Sequence, residues 1–102
     1  MDALILGSER KFELYISPLG NIHASQYDFT VKVFTNSAHS LQLSKDDCIM
    51  VDDDTFLVPV DTNVIGLGTI NFEVTAFVPD GDFEDGFRTE KARYTTDVTV
   101  VA

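Results

Sequence analysis

The chain has 102 residues, with seven Lys and Arg against 17 Asp and Glu, so its formal net charge is −10. This length fits a single domain, residues 1–102, and the apolar content of 44% is too high for a disordered acidic tail. An acidic surface repels phosphate backbones and anionic lipids, which disfavours nucleic-acid binding and peripheral membrane binding.

The sequence contains no targeting or membrane segment that we can identify. The apolar run at residues 3–6 is too short for a secretory signal and has no positive charges before it. No apolar stretch approaches the roughly 20 residues that a membrane helix needs. Cys48 is the only cysteine, which excludes an intramolecular disulfide, and we expect it to pack as a small apolar side chain.

Apolar and polar residues alternate through much of the chain, which is the period of a β-strand with one face on a core. The strands predicted in this way cover residues 11–16, 29–33, 56–60, 69–78 and 93–100, with shorter candidates at 41–43 and 48–51. Pro59 cannot donate a hydrogen bond within a sheet, so we expect its strand to be an edge strand or to carry a bulge.

Turn-forming residues separate the predicted strands, at residues 17–21, 35–37, 52–54, 61–63 and 79–82. About seven short strands in about 100 residues are typical of a β-sandwich. No window of ten or more residues has apolar positions at helical spacing. The sequence therefore predicts an all-β fold, a single Ig-like antiparallel β-sandwich.

Ten of the 17 acidic residues fall into two segments. The first segment brackets a short predicted strand, and we expect its central run, residues 52–54, to form a hairpin turn. The second segment is one loop near the end of the chain. The two groups are Asp46, Asp47, Asp52, Asp53 and Asp54, and Asp80, Asp82, Glu84, Asp85 and Glu90.

The second acidic segment partly matches a calcium-binding loop. Asp80, Asp82 and Glu84 have the i, i+2, i+4 spacing of the first ligands. Asp85 then replaces the glycine that such a loop requires, and Lys91 replaces its bidentate glutamate. Two interpretations stay open: a weak cation site on those first three acids, or a solvated loop tethered by the basic residues that follow it.

The residues for nucleophilic catalysis lie in separate turn regions: His23 and His39, with Ser25, Ser37 and Ser40 near them. Serine and histidine in the loops of a small β domain are usually polar surface, so we expect no Ser–His site and no enzyme activity. The Gly-Leu-Gly run at residues 66–68 precedes a predicted strand rather than a helix, which indicates a bulge or tight bend instead of a phosphate loop. We therefore expect no cofactor.

The segment from Gly66 to Arg88 combines this Gly-Leu-Gly run, a long strand, Val-Pro-Asp and the run Asp-Phe-Glu-Asp-Gly-Phe-Arg. It resembles a segment in virion surface proteins of Bacteroidales phages, including crAss-like phages, where Asp-Phe-x-Asp-Gly-x-Arg occurs in a small Ig-like domain. The resemblance covers residues 66–93, and upstream of residue 60 only the strand pattern is shared.

The resemblance implies a structural virion protein without catalysis. Because the chain begins with Met1 and ends at its last strand, we expect no fibre shaft, which favours an auxiliary (decoration) protein on the outer capsid surface that can also be a docking base for head fibres. Its implied partners are the major capsid protein and a head-fibre protein, with many copies in each virion and synthesis in the host bacterial cytoplasm. The family-like loop corresponds to Asp80, Asp82, Phe83, Asp85, Gly86 and Arg88.

Within this loop we expect Gly86 to have a positive φ and Arg88 to pair with Asp82 or Asp85. We also expect Phe83 and Phe87 either to fold back on the domain or to contact a partner. Direct partner contact through the loop is the alternative to a purely structural turn.

Some apolar residues are out of phase with the core-facing positions and form a candidate interface: Tyr15, Phe34, Leu57 and Phe77. Two alternative functions stay open. One is a carbohydrate- or cell-surface-binding β-sandwich, which needs an exposed aromatic platform and is disfavoured by the absence of Trp. The other is a tail or fibre adaptor domain.

Overall fold

The alternating sequence forms short strands in the structure, a computed structural model that describes residues 2–36 and 38–102. Within these residues there is one short helix, α1 (Thr62–Ile65), and two single-turn 3₁₀ helices, Ala24–Gln26 and Lys45–Asp47. The strands are β1 (Asp2–Ile5), β2 (Glu9–Tyr15), β3 (Asp28–Phe34), β4 (Ser40–Ser44), β5 (Ile49–Met50), β6 (Thr55–Asp61), β7 (Gly68–Pro79) and β8 (Phe87–Val101).

These strands form two sheets. One sheet has the order β1-β8-β7-β3-β4 and the other has the order β2-β6-β5, which is the strand connectivity of the Ig fold. The predicted all-β, Ig-like sandwich is therefore confirmed. One pair departs from the predicted antiparallel arrangement, because β1 runs parallel to β8, with Asp2 opposite Val98 and Ile5 opposite Val101.

The core lies between the two sheets and is built from the alternating positions. Phe29 packs edge-on against Phe56 with ring centroids 5.0 Å apart, and Phe12 packs against Phe72 at 5.5 Å. Burying each such side chain contributes about 1.5–3 kcal/mol relative to exposure. Most of the predicted core-facing residues are buried: Leu14, Ile16, Phe29, Val31, Val33, Phe56, Val58, Val60, Ile70, Phe72, Val74, Ala76, Val78, Val98 and Val100.

Pro59 lies on β6, which is the middle strand of its sheet. The neighbouring β5 is only two residues long and pairs with Phe56 and Leu57 alone. Beyond those two residues, β6 has no described strand on the β5 side. The predicted edge position is thus wrong for the strand as a whole and right for the part that contains Pro59.

The connection from β6 to β7 is tied to the turn between β1 and β2. The buried Thr62 Oγ1 donates to the carbonyl of Ser8 at 2.8 Å and accepts from the backbone N–H of Gly7 at 2.9 Å. Gly66, at φ +81°, follows α1, and Gly68, at φ +124°, begins β7. The predicted tight bend at residues 66–68 is therefore confirmed, and it lies at one end of the sandwich.

The β7–β8 hairpin runs the length of the molecule, whose dimensions are 48 × 28 × 21 Å. It pairs from Gly68 and Val100 at one end to Pro79 and Phe87 at the other. A strand as long as β7 spans roughly 40 Å. The second acidic segment, at the hairpin turn, is therefore at the far end of the molecule from α1.

Candidate functional site

We define the acidic loop as residues 80–86, the turn of the β7–β8 hairpin. Its ends are joined by a hydrogen bond from the Asp80 N–H to the Gly86 carbonyl at 2.8 Å. One carboxylate oxygen of Asp80 accepts from the Asp82 N–H at 3.0 Å, and the other accepts from Arg88 at 2.9 Å. Hydrogen bonds from these two donors, the Asp82 N–H first, hold the pKa of Asp80 below its usual range. Asp80 is thus the structural centre of the loop.

The predicted partner of Arg88 is wrong, since Arg88 pairs with Asp80 rather than with Asp82 or Asp85. The reason is the register of the hairpin, which places Arg88 directly opposite Val78. Its guanidinium therefore reaches Asp80, the residue that directly follows the facing strand. Asp85 instead accepts a hydrogen bond from the N–H of Phe87 at 3.1 Å, as an Asx turn.

Gly86 has the predicted positive φ, +82°, and its N–H donates to the Phe83 carbonyl at 2.9 Å. The side chains of Phe83 and Phe87 are both exposed. The expectation that these rings fold back on the domain is therefore wrong, and partner contact is the expectation that stays open for them.

The weak cation site proposed on Asp80, Asp82 and Glu84 is not assembled. Among residues 2–36 and 38–102, no three His, Cys, Asp or Glu side chains converge in a way that could hold a metal ion. The Asp80 carboxylate is already held by the Asp82 N–H and Arg88. The loop geometry favours the second interpretation, a tethered and solvated turn.

The other acidic run, residues 52–54, forms the predicted hairpin turn, between β5 and β6. The Asp52 carboxylate accepts from the N–H groups of Asp54 and Thr55, which closes the turn and lowers the pKa of Asp52. The turn also holds the loop that follows β2, because the Asp54 carbonyl accepts from the N–H of Ile16 at 2.8 Å. This acidic run is an anchor for a neighbouring loop.

The same turn binds His23 and Ser25, two of the serine and histidine residues that lie near one another in the sequence. His23 Nδ1 lies 2.9 Å from Asp54 Oδ1, and the Ser25 hydroxyl donates to Asp53 at 3.0 Å. The serine and histidine are thus each paired with a different aspartate and not with one another. Ser40 and His39 lie in another part of the chain, around the start of β4, and Ser37 lies outside the described residues.

The four residues of the candidate interface do not form one surface. Tyr15 and Leu57 lie on the outer side of the three-stranded sheet, whereas Phe34 and Phe77 lie on the outer side of the other sheet. The rows that contain Phe34 and Phe77 are six positions apart along β3, a distance of roughly 20 Å. Lys32 and Arg93 lie over the Phe34 ring at 5.4 Å each, so this ring is partly covered.

A surface that the sequence patterns do not predict lies at the opposite end from the acidic loop. Ile5 pairs with Val101, the N–H of Leu6 donates to the Val101 carbonyl, and Leu67 comes directly before the Gly68–Val100 pair. The side chains of Ile5, Leu6, Leu67 and Val101 are each between 38% and 66% exposed. We call this surface the apolar end, and define it as Ile5, Leu6, Val64, Leu67 and Val101.

A partial signal for the apolar end is present in the sequence. Residues 3–6 are apolar without alternation, so a strand there cannot bury all of them, and Leu67 lies between two glycines. What the pattern does not reveal is that these segments meet. The pairing of β1 with β8, and of β8 with β7, places them at the same end of the molecule.

Cys48 is half-buried against the core, as expected, and its burial raises the pKa of the thiol to about 11. A thiol of this kind is a weak nucleophile at neutral pH. No helix in the described parts of the chain has the length and apolar character to span a membrane.

Comparisons with protein-family models, curated proteins and solved structures find no match to this chain.

Proposed function

We propose that this chain is a structural virion protein, an auxiliary (decoration) protein on the outer surface of a bacteriophage capsid. In this proposal the apolar end binds the shell and the acidic loop points to solvent. The apolar end is the observation that carries the proposal.

Five exposed apolar side chains lie in segments that end on the same side of the sandwich, and apolar exposure of this kind favours contact with a partner. The two shorter dimensions of the whole molecule are 28 and 21 Å. An end surface within these limits is smaller than the ~800 Å² that each partner buries in a typical stable interface, so strong attachment would depend on many copies. Apolar residues at the centre of such a surface are the expected anchors.

The charge distribution supports the same orientation. The acidic loop is at the other end of β7, so its charge is kept away from the docking surface. The segment that resembles phage virion proteins runs from Gly66, beside Leu67, to Arg88, and therefore joins the apolar end to the acidic loop.

The proposed role is passive, because the acidic residues that could take part in catalysis form structural hydrogen bonds. Asp53, Asp54 and Asp80 each bind a neighbouring loop or strand residue. The major capsid protein is the proposed partner of the apolar end. The exposed Phe83 and Phe87 are the positions at which a head-fibre protein would dock.

The proposal is tested by mixing the purified chain with capsids of the encoding phage that lack it, followed by sedimentation and quantification of the bound protein. We expect saturable binding in many copies for the wild-type chain. Leu67→Asp should abolish most of it. The matched control is Phe83→Asp, because Phe83 is 51% exposed and Leu67 is 50% exposed, at opposite ends of the molecule.

Equal binding by the two variants would refute docking through the apolar end. No binding by the wild-type chain would refute the capsid role. In that case a positive glycan array would replace it with the carbohydrate-binding alternative. Circular dichroism of each variant checks that the fold is retained.

A further inference from the structure

The loop between β2 and β3 crosses from the three-stranded sheet to the five-stranded sheet. We call this loop the strap and define it as residues 16–27. It covers part of the core, since Ala24 is fully buried and Tyr27 is 4% exposed. Its only described regular structure is one 3₁₀ turn and an isolated bridge between Leu19 and Ile22. The position of the strap therefore depends on its contacts with neighbouring segments.

One side of the strap is fastened to the acidic turn at residues 52–54. The N–H of Ile16 donates to the Asp54 carbonyl at 2.8 Å, and the N–H of Ser25 donates to the Asp53 carbonyl at 2.9 Å. The Ser25 hydroxyl donates to the Asp53 carboxylate at 3.0 Å. The His23 side chain adds a charged contact, with Nδ1 2.9 Å from Asp54 Oδ1.

The end of the strap that leads into β3 is held separately. Lys45 Nζ donates to the carbonyl of Ser25 at 2.9 Å and to the carbonyl of Tyr27 at 2.8 Å. A lysine at such a site stays charged through neutral pH, so this end is fixed over the whole of that range. The end at Ile16 is fixed by a backbone hydrogen bond, which does not titrate. The part between the two ends is fastened through His23.

The other side of the strap, which faces β7 and β8, is poorly packed. Among the described residues, no backbone hydrogen bond outside the strands joins the strap to β7 or β8. A cleft of about 180 Å³ separates them, with Leu19 and Tyr27 on one wall and Ala76 and Ala92 on the other. The Tyr27 hydroxyl is buried and has no hydrogen-bond partner in the described part of the chain. A segment that is fastened on one side and loosely packed on the other can open like a lid.

His23 is the only residue of the strap that changes charge near neutral pH. The acidic turn places Asp52, Asp53 and Asp54 on its side of the strap, and Lys45 is the cation that contacts the strap. The hydrogen bond with Asp54, followed by the charges of Asp54 and Asp53, raises the pKa of His23. A raised pKa in the closed form means that the proton stabilises closure, and that this stabilisation is lost as the pH rises through the raised value.

We propose that the strap is a pH-sensitive lid, which is latched to the acidic turn while His23 is protonated and opens more often once His23 has lost its proton. Opening widens the cleft above β7 and β8 and uncovers Ala24. The neutral imidazole keeps a hydrogen bond to Asp54 but loses the charge attraction, so the pH changes the opening equilibrium and leaves the fold intact. This device stands whether or not the chain binds a capsid.

The test is native-state hydrogen exchange, followed by nuclear magnetic resonance on the full chain at about pH 5.5 and about pH 8.5 in low concentrations of urea. The amides of Ser25 and Gln26 report on the strap, because they donate to the Asp53 and His23 carbonyls. The amides of Val33 and Val74, in the core, report on global unfolding.

A lid has three signatures in this experiment. The strap amides should show a smaller opening free energy than the core amides. Their exchange should be nearly independent of urea, because local opening exposes little surface. The opening constant of the strap should rise several-fold from the lower to the higher pH, after correction for the intrinsic exchange rate.

Two substitutions separate the titrating contact from the rest of the latch. His23→Gln should remove the pH dependence of strap opening, because the side chain no longer changes charge. Ser25→Ala removes the hydroxyl bond to Asp53, which does not depend on His23. It should increase opening at both pH values and keep the pH dependence. The control His39→Gln, at an exposed histidine of a different loop, should behave as the wild type.

The proposal is overturned if the strap amides exchange with the same free energy and the same urea dependence as the core amides, since the strap would then open only in global unfolding. It is also overturned if strap opening keeps its full pH dependence in His23→Gln, because another group would then control it. Thermal unfolding of each variant confirms that it is folded.

Discussion

Nδ1 of His23 lies 2.9 Å from Oδ1 of Asp54, and this pair joins the loop after β2 to the turn between β5 and β6. The hydrogen bond with Asp54, and then the negative charge of Asp54, raise the pKa of His23 above its ordinary value. Because the pKa is higher in the folded chain, the protonated histidine stabilises the fold fully below about pH 6.5. This contribution is lost as the pH rises through the raised pKa.

The first prediction is that the thermal midpoint of the wild-type chain falls as the pH increases from about 6.5 through the raised pKa of His23. His23→Gln should remove this part of the pH dependence, and it should lower the midpoint mainly on the acidic side. The control is His39→Gln, which removes the other histidine from a different loop. Identical profiles for wild type and His23→Gln would contradict the prediction.

Gly86 and Gly81 form a natural comparison within the acidic loop. Gly86 has φ +82°, which an L side chain adopts only with strain, whereas Gly81 is outside the positive-φ region. Both have open space where a Cβ would lie. We expect Gly86→Ala to lower the free energy of unfolding by about 1–2 kcal/mol and Gly81→Ala to leave it within about 0.5 kcal/mol. Urea denaturation measures both, and equal effects would contradict the prediction.

Thr62 is a buried hydroxyl with two backbone partners, the Ser8 carbonyl and the Gly7 N–H. Thr62→Val keeps the shape of the side chain and leaves the N–H of Gly7 without this acceptor. We expect a loss of about 1–3 kcal/mol in the free energy of unfolding. The exposed Thr89→Val should change it by less than about 0.5 kcal/mol. A stable Thr62→Val variant would show that this hydroxyl does not hold the β1–β2 turn.

The unpaired hydroxyl of Tyr27 gives a prediction of opposite sign. The substitution Tyr27→Phe removes this buried hydroxyl, which has no hydrogen-bond partner among the described residues. The free energy of unfolding should therefore stay the same or increase by up to about 1 kcal/mol. Tyr15→Phe, at an exposed position, is the control. Destabilisation by more than about 1 kcal/mol would show that the hydroxyl has a hydrogen-bond partner.

The alternation of the sequence was sufficient to predict the interior of the sandwich. Residues such as Val31, Val58 and Val74 are buried because a period of two keeps one side of each strand on the core. β1 was missed because residues 3–6 are all apolar and show no alternation. Its position depends on parallel pairing with a strand more than 90 residues away, which no local pattern contains.

The candidate site was predicted in part, for a related reason. Spacing placed Arg88 near the acidic residues of the hairpin turn, and the positive φ of Gly86 followed from the turn chemistry. The choice of Asp80 as the partner depends on the strand register, which the spacing does not determine. The apolar end depends on strand pairing that brings three distant segments, residues 5–6, 64–67 and 101, to one end of the sandwich, and so it could be found only from the fold.

The pairing of β1 with β8 also has a consequence for the order of folding. Residues Asp2 to Ile5 leave the ribosome well before their partners, Val98 to Val101. Until those partners emerge, Leu4 has no strand to pair with and its side chain stays in water. Contacts with such a large sequence separation slow folding, so β1 docks late, after the rest of the sandwich has formed. The apolar end, which needs both strands, is therefore completed only after Val101 has emerged, and a nascent chain that has not reached this residue does not present it to a partner.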